Sequence, residues 1–192
     1  MTSPRIVVTG AKDGKSVVVS DGSATTIDIP LMPGSAYVPV WGADETPVVP
    51  DSAQAVQPRT YFPPAGGFRF CFFTLGPATA ALPADFDPAA AAAQVQQDIP
   101  GLLDVFEPDN PGMHTSDTVD VDFVLSGEVD VELDDGVEVH LKAGDVLVQN
   151  GTGTPGGTSP TSPACWSSPS PAPAAAENRR RGSRASPPWA CG

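Results

Sequence analysis

The chain reads as mainly β, a β-sandwich or small barrel with one short helix. Short Val-rich segments alternate apolar and polar residues, turns containing Gly separate them at about ten-residue spacing, and a single stretch carries helix punctuation. Its 192 residues suit one domain with extensions.

In chain order, "RIVVT" and "SVVVS" flank "GAKDGK", where Asp13-Gly14 supplies a hairpin turn that tolerates positive φ. "AYVPVW" follows as a strand, and Pro39, which lacks an N–H, predicts an edge or a bulge there. A connection through Pro47, Pro50 and Pro58 leads to "GFRFCFFTL", Gly67 to Leu75, the most aromatic strand candidate. From Asp87 to Gln97, "DPAAAAAQVQQ" opens with Asp as N-cap and Pro as first helical residue. Its weak apolar face suits a cover over the β-structure.

The pattern is clearest from Thr118 to Gln149. In "VDFVLSGEVDVEL", Val129, Val131 and Leu133 fall on one face, with Glu128, Asp130 and Glu132 on the other. Asp134-Asp135-Gly136 turns the chain, and "VEVHL" then sets Val137, Val139 and Leu141 inward. His140 alternates with these residues, so it is expected to be exposed rather than to act as a ligand. Lys142-Ala143-Gly144-Asp145 turns the chain again into "VLVQ".

After Asn150 the composition changes. Residues 151–192 contain no Val, Ile, Leu, Met, Phe, Tyr, Asp or His, but eight prolines and six glycines. Such a segment cannot recover the entropy of ordering, so it is read as a disordered tail. Charge divides at the same place. Residues 1–150 hold 22 acidic and six basic side chains, about −16, whereas the tail sets Arg179, Arg180, Arg181 and Arg184 against Glu177 alone. The acidic body makes nucleic acid and anionic membranes poor partners. No apolar run approaches the roughly 20 residues that span a bilayer, and "MTSPRIVVTG" lacks the apolar segment of a signal peptide, so a cytoplasmic location is expected. Cys71, Cys165 and Cys191 have neither CxxC spacing nor an even count, so no structural zinc or disulfide framework is indicated.

"PGMHTSDTVDVDFVLSGEVDVEL", followed by "DDGVEVHLKAGDVLVQNGT", resembles the small single-domain bacterial cupins of the RmlC-like superfamily. Residues 108–152 carry the resemblance well and the N-terminal half only loosely. It implies a double-stranded β-helix, a jelly-roll barrel, here incomplete at its C-terminal strands. The implied division is residues 1–107 as a hairpin, strands and helix packing on the barrel, 108–150 as the core motif, and 151–192 as the tail. The family's first motif places a His-x-His pair before an acidic residue, with a Gly after six more. His114 takes the first His position, Ser116 stands where the second is usual, Asp120 replaces the usual Glu, and Gly127 closes the motif. The resemblance therefore implies His114 and Asp120 as metal ligands.

If His114 to Asp122 is one extended strand, His114, Ser116, Thr118, Asp120 and Asp122 share a face opposite Val119, Val121 and Phe123. Carboxylates inside a barrel are costly without a partner. Either a divalent cation such as Fe, Mn, Ni or Zn, or water in a ligand cavity, answers that cost.

The family's second motif needs a His two residues after Thr152, then an Asn, then an apolar strand. Thr154 and Thr158 stand at the two polar positions. With GC-rich codons and one C restored after the codon for Thr152, the segment can read Thr-Arg-His-Ala-Trp-Arg-Asn, and "SPTSPACWSS" can continue as Ile-Ala-Asp-Glu-Pro-Gly-Leu-Leu-Val-Val. We infer a reading-frame shift from Gly153 onward, in the gene or in its sequencing.

Two classes of function remain. One is a mononuclear metal enzyme acting on a small organic acid, ketone or phenol, in which His114 and Asp120 hold the ion. Two protein ligands rarely hold a transition metal firmly, so the metal is expected to be weak or absent in this chain. The other is a non-catalytic small-molecule binding or sensing barrel, or an inactive frameshifted product. Small cupins are often homodimers, and the apolar N-terminal hairpin is a candidate interface.

Overall fold

The computed structural model describes residues 3–49, 60–107, 113–151, 154–155 and 164–171. The chain opens with β1 (Arg5–Lys12) and β2 (Lys15–Ser23), an antiparallel pair closed at Lys12↔Lys15. Then come β3 (Ile27–Asp28), β4 (Ala36–Ala43) and β5 (Phe68–Leu75). Helix α1 (Pro88–Asp98) follows, capped by the Asp87 side chain, which accepts from the amides of Ala89 and Ala90. The remaining strands are β6 (Met113–His114), β7 (Val119–Ser126), β8 (Glu128–Glu132), β9 (Glu138–Lys142), β10 (Val146–Asn150), β11 (Thr154–Pro155) and β12 (Ala164–Pro171). The fold is mainly β with one α-helix among the described residues.

Six strands form the main sheet in the order β10-β7-β12-β5-β4-β3, while β1-β2, β8-β9 and β11-β6 pair separately. The core lies between the main sheet, the β8–β9 hairpin and α1. Phe73 and Leu75 of β5, Val124 of β7, Val129 and Val131 of β8, Leu141 of β9 and Val95 of α1 belong to one buried cluster. The helix is thus a cover: it buries Ala91 and Val95 and leaves its Ala- and Gln-rich remainder outside. In β4 the register shifts between Pro39 and Trp41, so the proline sits at the bulge its missing N–H predicts.

Three expectations change. The tail is not structureless throughout. Ala164–Pro171 pairs with β5 along its whole length and with β7 over Cys165–Ser167, occupying the seam that a chain without C-terminal strands would leave open. Strand pairing uses backbone N–H and C=O groups, which every residue of this segment but Pro169 and Pro171 possesses, and those two lie outside the stretch paired to both neighbours; two sheet edges facing one gap need such partners. The expected tail residues 152–153, 156–163 and 172–192 lie outside the described residues. The single strand from His114 to Asp122 is instead two, β6 and β7, separated by a bend at residues 115–118. There the Thr118 carbonyl accepts from the Gly151 amide at 2.9 Å, tying the bend to the end of β10. Val137, expected inward, is 53% exposed because it closes the 3₁₀ turn at Asp134–Gly136 rather than joining β9.

Candidate functional site

Strand β7 has two unlike faces. Thr118, just before it, and Asp122 and Val124 within it are buried, and Asp120 between them is half-buried; Phe123 and Leu125 are exposed on the opposite side. The period of two predicted from the sequence therefore holds from Thr118 onward, and it puts two carboxylates on the inner face.

Both carboxylates are engaged by neutral groups. Thr118 Oγ1 donates to Asp120 Oδ2 at 3.2 Å, and the Ser116 hydroxyl lies 2.7 Å from Thr118 Oγ1. Since the single Thr118 proton goes to the carboxylate, Ser116 is the donor in that second contact. The result is a short relay, Ser116 to Thr118 to Asp120. Gln149 stands opposite Asp120 in the β7–β10 register, and its Nε2 donates to Asp122 Oδ2 at 2.9 Å.

Tyr61 lies near both carboxylates, and Tyr37 packs against it. The rings of Tyr37 and Tyr61 are 5.2 Å apart, and Tyr37 also lies 6.5 Å from Phe73. Burial raises the Tyr61 phenol well above its ordinary value, and nearby Cys71, Tyr37, Asp122 and Asp120 raise it further. Burial also raises Tyr37, reinforced by Cys71 and opposed by Arg69. Both phenols stay protonated near neutral pH, so they can donate hydrogen bonds where the carboxylates accept. Neither tyrosine carries a signal in the sequence. Tyr37 sits in an ordinary strand, and Tyr61 follows a proline-rich connection; only tertiary packing brings it near β7.

His114 lies on β6, half-buried, with its ring centroid 5.4 Å from that of Phe106 and its backbone bridged to Phe106. Thr154, the position where the cupin resemblance expects a second-motif His, pairs directly with His114. His140 is on the outer surface of β9, where its Nδ1 meets Asp130 at 2.6 Å and its Nε2 lies 3.9 Å from Glu128. Among the described residues no group of three or more His, Cys, Asp and Glu side chains could hold a metal ion. With neutral donors on both inner carboxylates as well, the donor set does not fit a firmly bound transition metal.

The described fold has its likenesses among cupin-type structures. The chain is similar to a candidate ethanolamine utilization protein Q from Salmonella typhimurium, at 14% identity over 90% of this chain and 99% of that one, with a TM-score of 0.42. It is also similar to the cupin domain of Cnp3 from Schizosaccharomyces pombe, at 9% identity over 86% and 85% of the two chains and a TM-score of 0.41. A cupin protein from Bacteroides fragilis is 17% identical over 61% and 72%, with a TM-score of 0.34. No family model and no curated protein matches the chain. At this level the likeness carries no argument about this chain, and the mainly β class the sequence predicts stands on the strands themselves.

Proposed function

We propose that the chain is a cupin-type barrel that has lost the firm metal centre of metal-dependent relatives and whose remaining capacity is to bind a small organic molecule. One observation carries this reading. Asp120 accepts from Thr118 and Asp122 from Gln149, so each inner carboxylate has a neutral donor on one oxygen, and no third ligand of the usual kinds joins His114 and Asp120 among the described residues. Carboxylate acceptors beside protonated phenols suit a ligand that both donates and accepts hydrogen bonds.

The backbone register supports the reading-frame inference. Thr154 pairs with His114, and Ala164–Pro171 runs in the sheet where the restored frame would supply its apolar strand. His114 and Asp120 remain the surest ligands for a weakly held Fe, Mn, Ni or Zn. A second copy docking through the β1–β2 hairpin and a cytoplasmic location belong to the same reading; no helix among the described residues is long and apolar enough to cross a membrane.

Metal analysis of the purified protein tests the proposal. The chain as it stands should carry far less than one ion, Thr154→His alone should change this little, and the chain restored in frame should bind much more tightly. One tightly held ion per unaltered chain would refute it.

A further inference from the structure

We propose that the groove between the β1–β2 hairpin and β4 is a binding site for a small uncharged aromatic or alicyclic molecule bearing one hydroxyl or carbonyl. The inference deepens the small-molecule reading above, on which it rests, by naming a place and a ligand class; that place meets the site described above at Tyr37, which lines the groove and packs against Tyr61. The cavity has a volume of about 340 Å³ and is lined by neither His114 nor either inner carboxylate of β7. At roughly 30 Å³ per water, it has room for about ten water-sized groups.

Its shape follows from local departures from regular strand geometry. The β1–β2 register shifts between Val8 and Thr9, and the β4–β5 register shifts between Pro39 and Trp41. Val8, Pro39 and Trp41, which flank these two irregularities, all line the groove. Bulges bend a strand and re-aim its side chains, so the two opposing walls diverge where a regular ladder would let them close. Gly22 enlarges the opening. It pairs with half-buried Ile6 and so lies on the same face of the hairpin, and a Cβ placed there would meet no atom within 4 Å.

The lining also selects the ligand. Ile6, Val8, Pro39, Val40 and the Trp41 indole supply apolar and aromatic surface. Its two charged residues already have partners. Arg69, only 4% exposed, is held by Asp44 at 2.6 Å and by the carbonyls of Thr60, Ala43 and Phe68, while Asp21 accepts two hydrogen bonds from Arg5. An ionic ligand would therefore lose its water without gaining a free counter-charge. The hydroxyls of Ser20, Ser23 and Thr25 line the same cavity and can meet one polar group on the ligand.

The experiment titrates the full chain with p-cresol, cyclohexanol, benzoate and benzylamine, following backbone amide NMR shifts and Trp fluorescence. The neutral probes should saturate with Kd of about 1 mM, as their few heavy atoms allow, and should shift residues of β1, β2 and β4. Both charged probes should bind at least about tenfold more weakly. Gly22→Leu and Val8→Trp each fill the groove and should abolish binding, whereas Val7→Trp, on the opposite face of β1, should leave it unchanged. Gly22→Leu keeps the test decisive if Val8→Trp fails to fold. Saturable binding that survives Gly22→Leu but falls with Asp122→Asn would overturn the groove and leave the small-molecule reading standing. No binding by either neutral probe, or equal binding by the charged ones, would also overturn the groove, while metal content tests the broader reading separately.

Discussion

The two hairpins β1–β2 and β8–β9 share their local signals and differ in their fate. Each joins Val-rich strands through an Asp-Gly turn, with Asp13 and Gly14 at φ 51° and 72°, and Asp135 and Gly136 at φ 60° and 72°. Both turns use the left-handed conformation that matches strand twist. Yet β8–β9 buries Val129 and Val131 to 2% exposure or less, whereas Val7, Val18 and Val19 of the first hairpin remain 42–62% exposed. Turn chemistry and β-branched residues suffice to form a hairpin. Burial requires something apolar opposite, and β8–β9 has the main sheet and α1 where β1–β2 has the open groove.

Truncation after Asn150 should separate the hairpins most sharply. It removes the strand between β5 and β7, leaving backbone groups unpaired at about 1–3 kcal/mol for each one that is buried. Global melting should fall and self-association increase, with added salt promoting association as the body's charge is screened. Amide protection in β8–β9 should collapse with the core, while that in β1–β2 should change little. Equal stability of the truncated and full chains would show that β12 contributes nothing.

Core truncations should give the next largest contrast. Val129→Ala removes two methyl groups from a fully buried site and should cost about 2 kcal/mol in a urea melt. Val18→Ala should stay within about 0.5 kcal/mol. A comparable loss at Val18 would mean that the first hairpin is covered in solution, as a dimer through it would require.

Substituting the turn glycines should give a smaller difference. Gly14→Ala and Gly136→Ala both meet open space, so backbone strain at positive φ is the main cost, about 1 kcal/mol for each. That cost should appear in the global melting of Gly136→Ala, and only as local fraying in Gly14→Ala.

The exposed ion pairs should respond to pH in opposite directions, each weakly. Asp130, followed by its neighbours, raises the His140 pKa from its ordinary 6.5. A raised folded value means stabilisation that is present below pH 6.5 and lost as pH rises through the raised value. Arg5 lowers the Asp21 pKa from 3.8, so that pair's contribution is present above pH 3.8 and lost as pH falls through the lowered value. Histidine and carboxylate NMR titrations check both, and Asp130→Asn should return His140 toward its ordinary value.

Most strands were legible in the sequence because their causes are local: Asp-Gly turns, Asp87-Pro88 at the helix start, Pro39 at its bulge, and alternation through Val129 and Val131. The inner face of β7 was legible for the same reason, since Thr118, Asp120 and Asp122 follow a period of two. The bend at residues 115–118 was hidden, because it depends on Gly151 reaching the Thr118 carbonyl from another strand. Tyr61 was hidden as well, because its surroundings come from distant segments.

By itself, then, the sequence determined the mainly β class, the turns, the single capped helix and the pairing of acidic with apolar faces, all set by interactions spanning a few residues. Tertiary structure alone decided that Thr118 and Gln149 each donate to an inner carboxylate, that the tilted rings of Tyr37 and Tyr61 meet, and that Thr154 stands opposite His114. It also seated Ala164–Pro171 in the sheet against the prediction of its composition. Every residue but proline offers the same backbone donor and acceptor, and Pro169 and Pro171 lie beyond the stretch that pairs on both sides, so a gap between two strands can recruit a segment that side-chain patterning would never nominate.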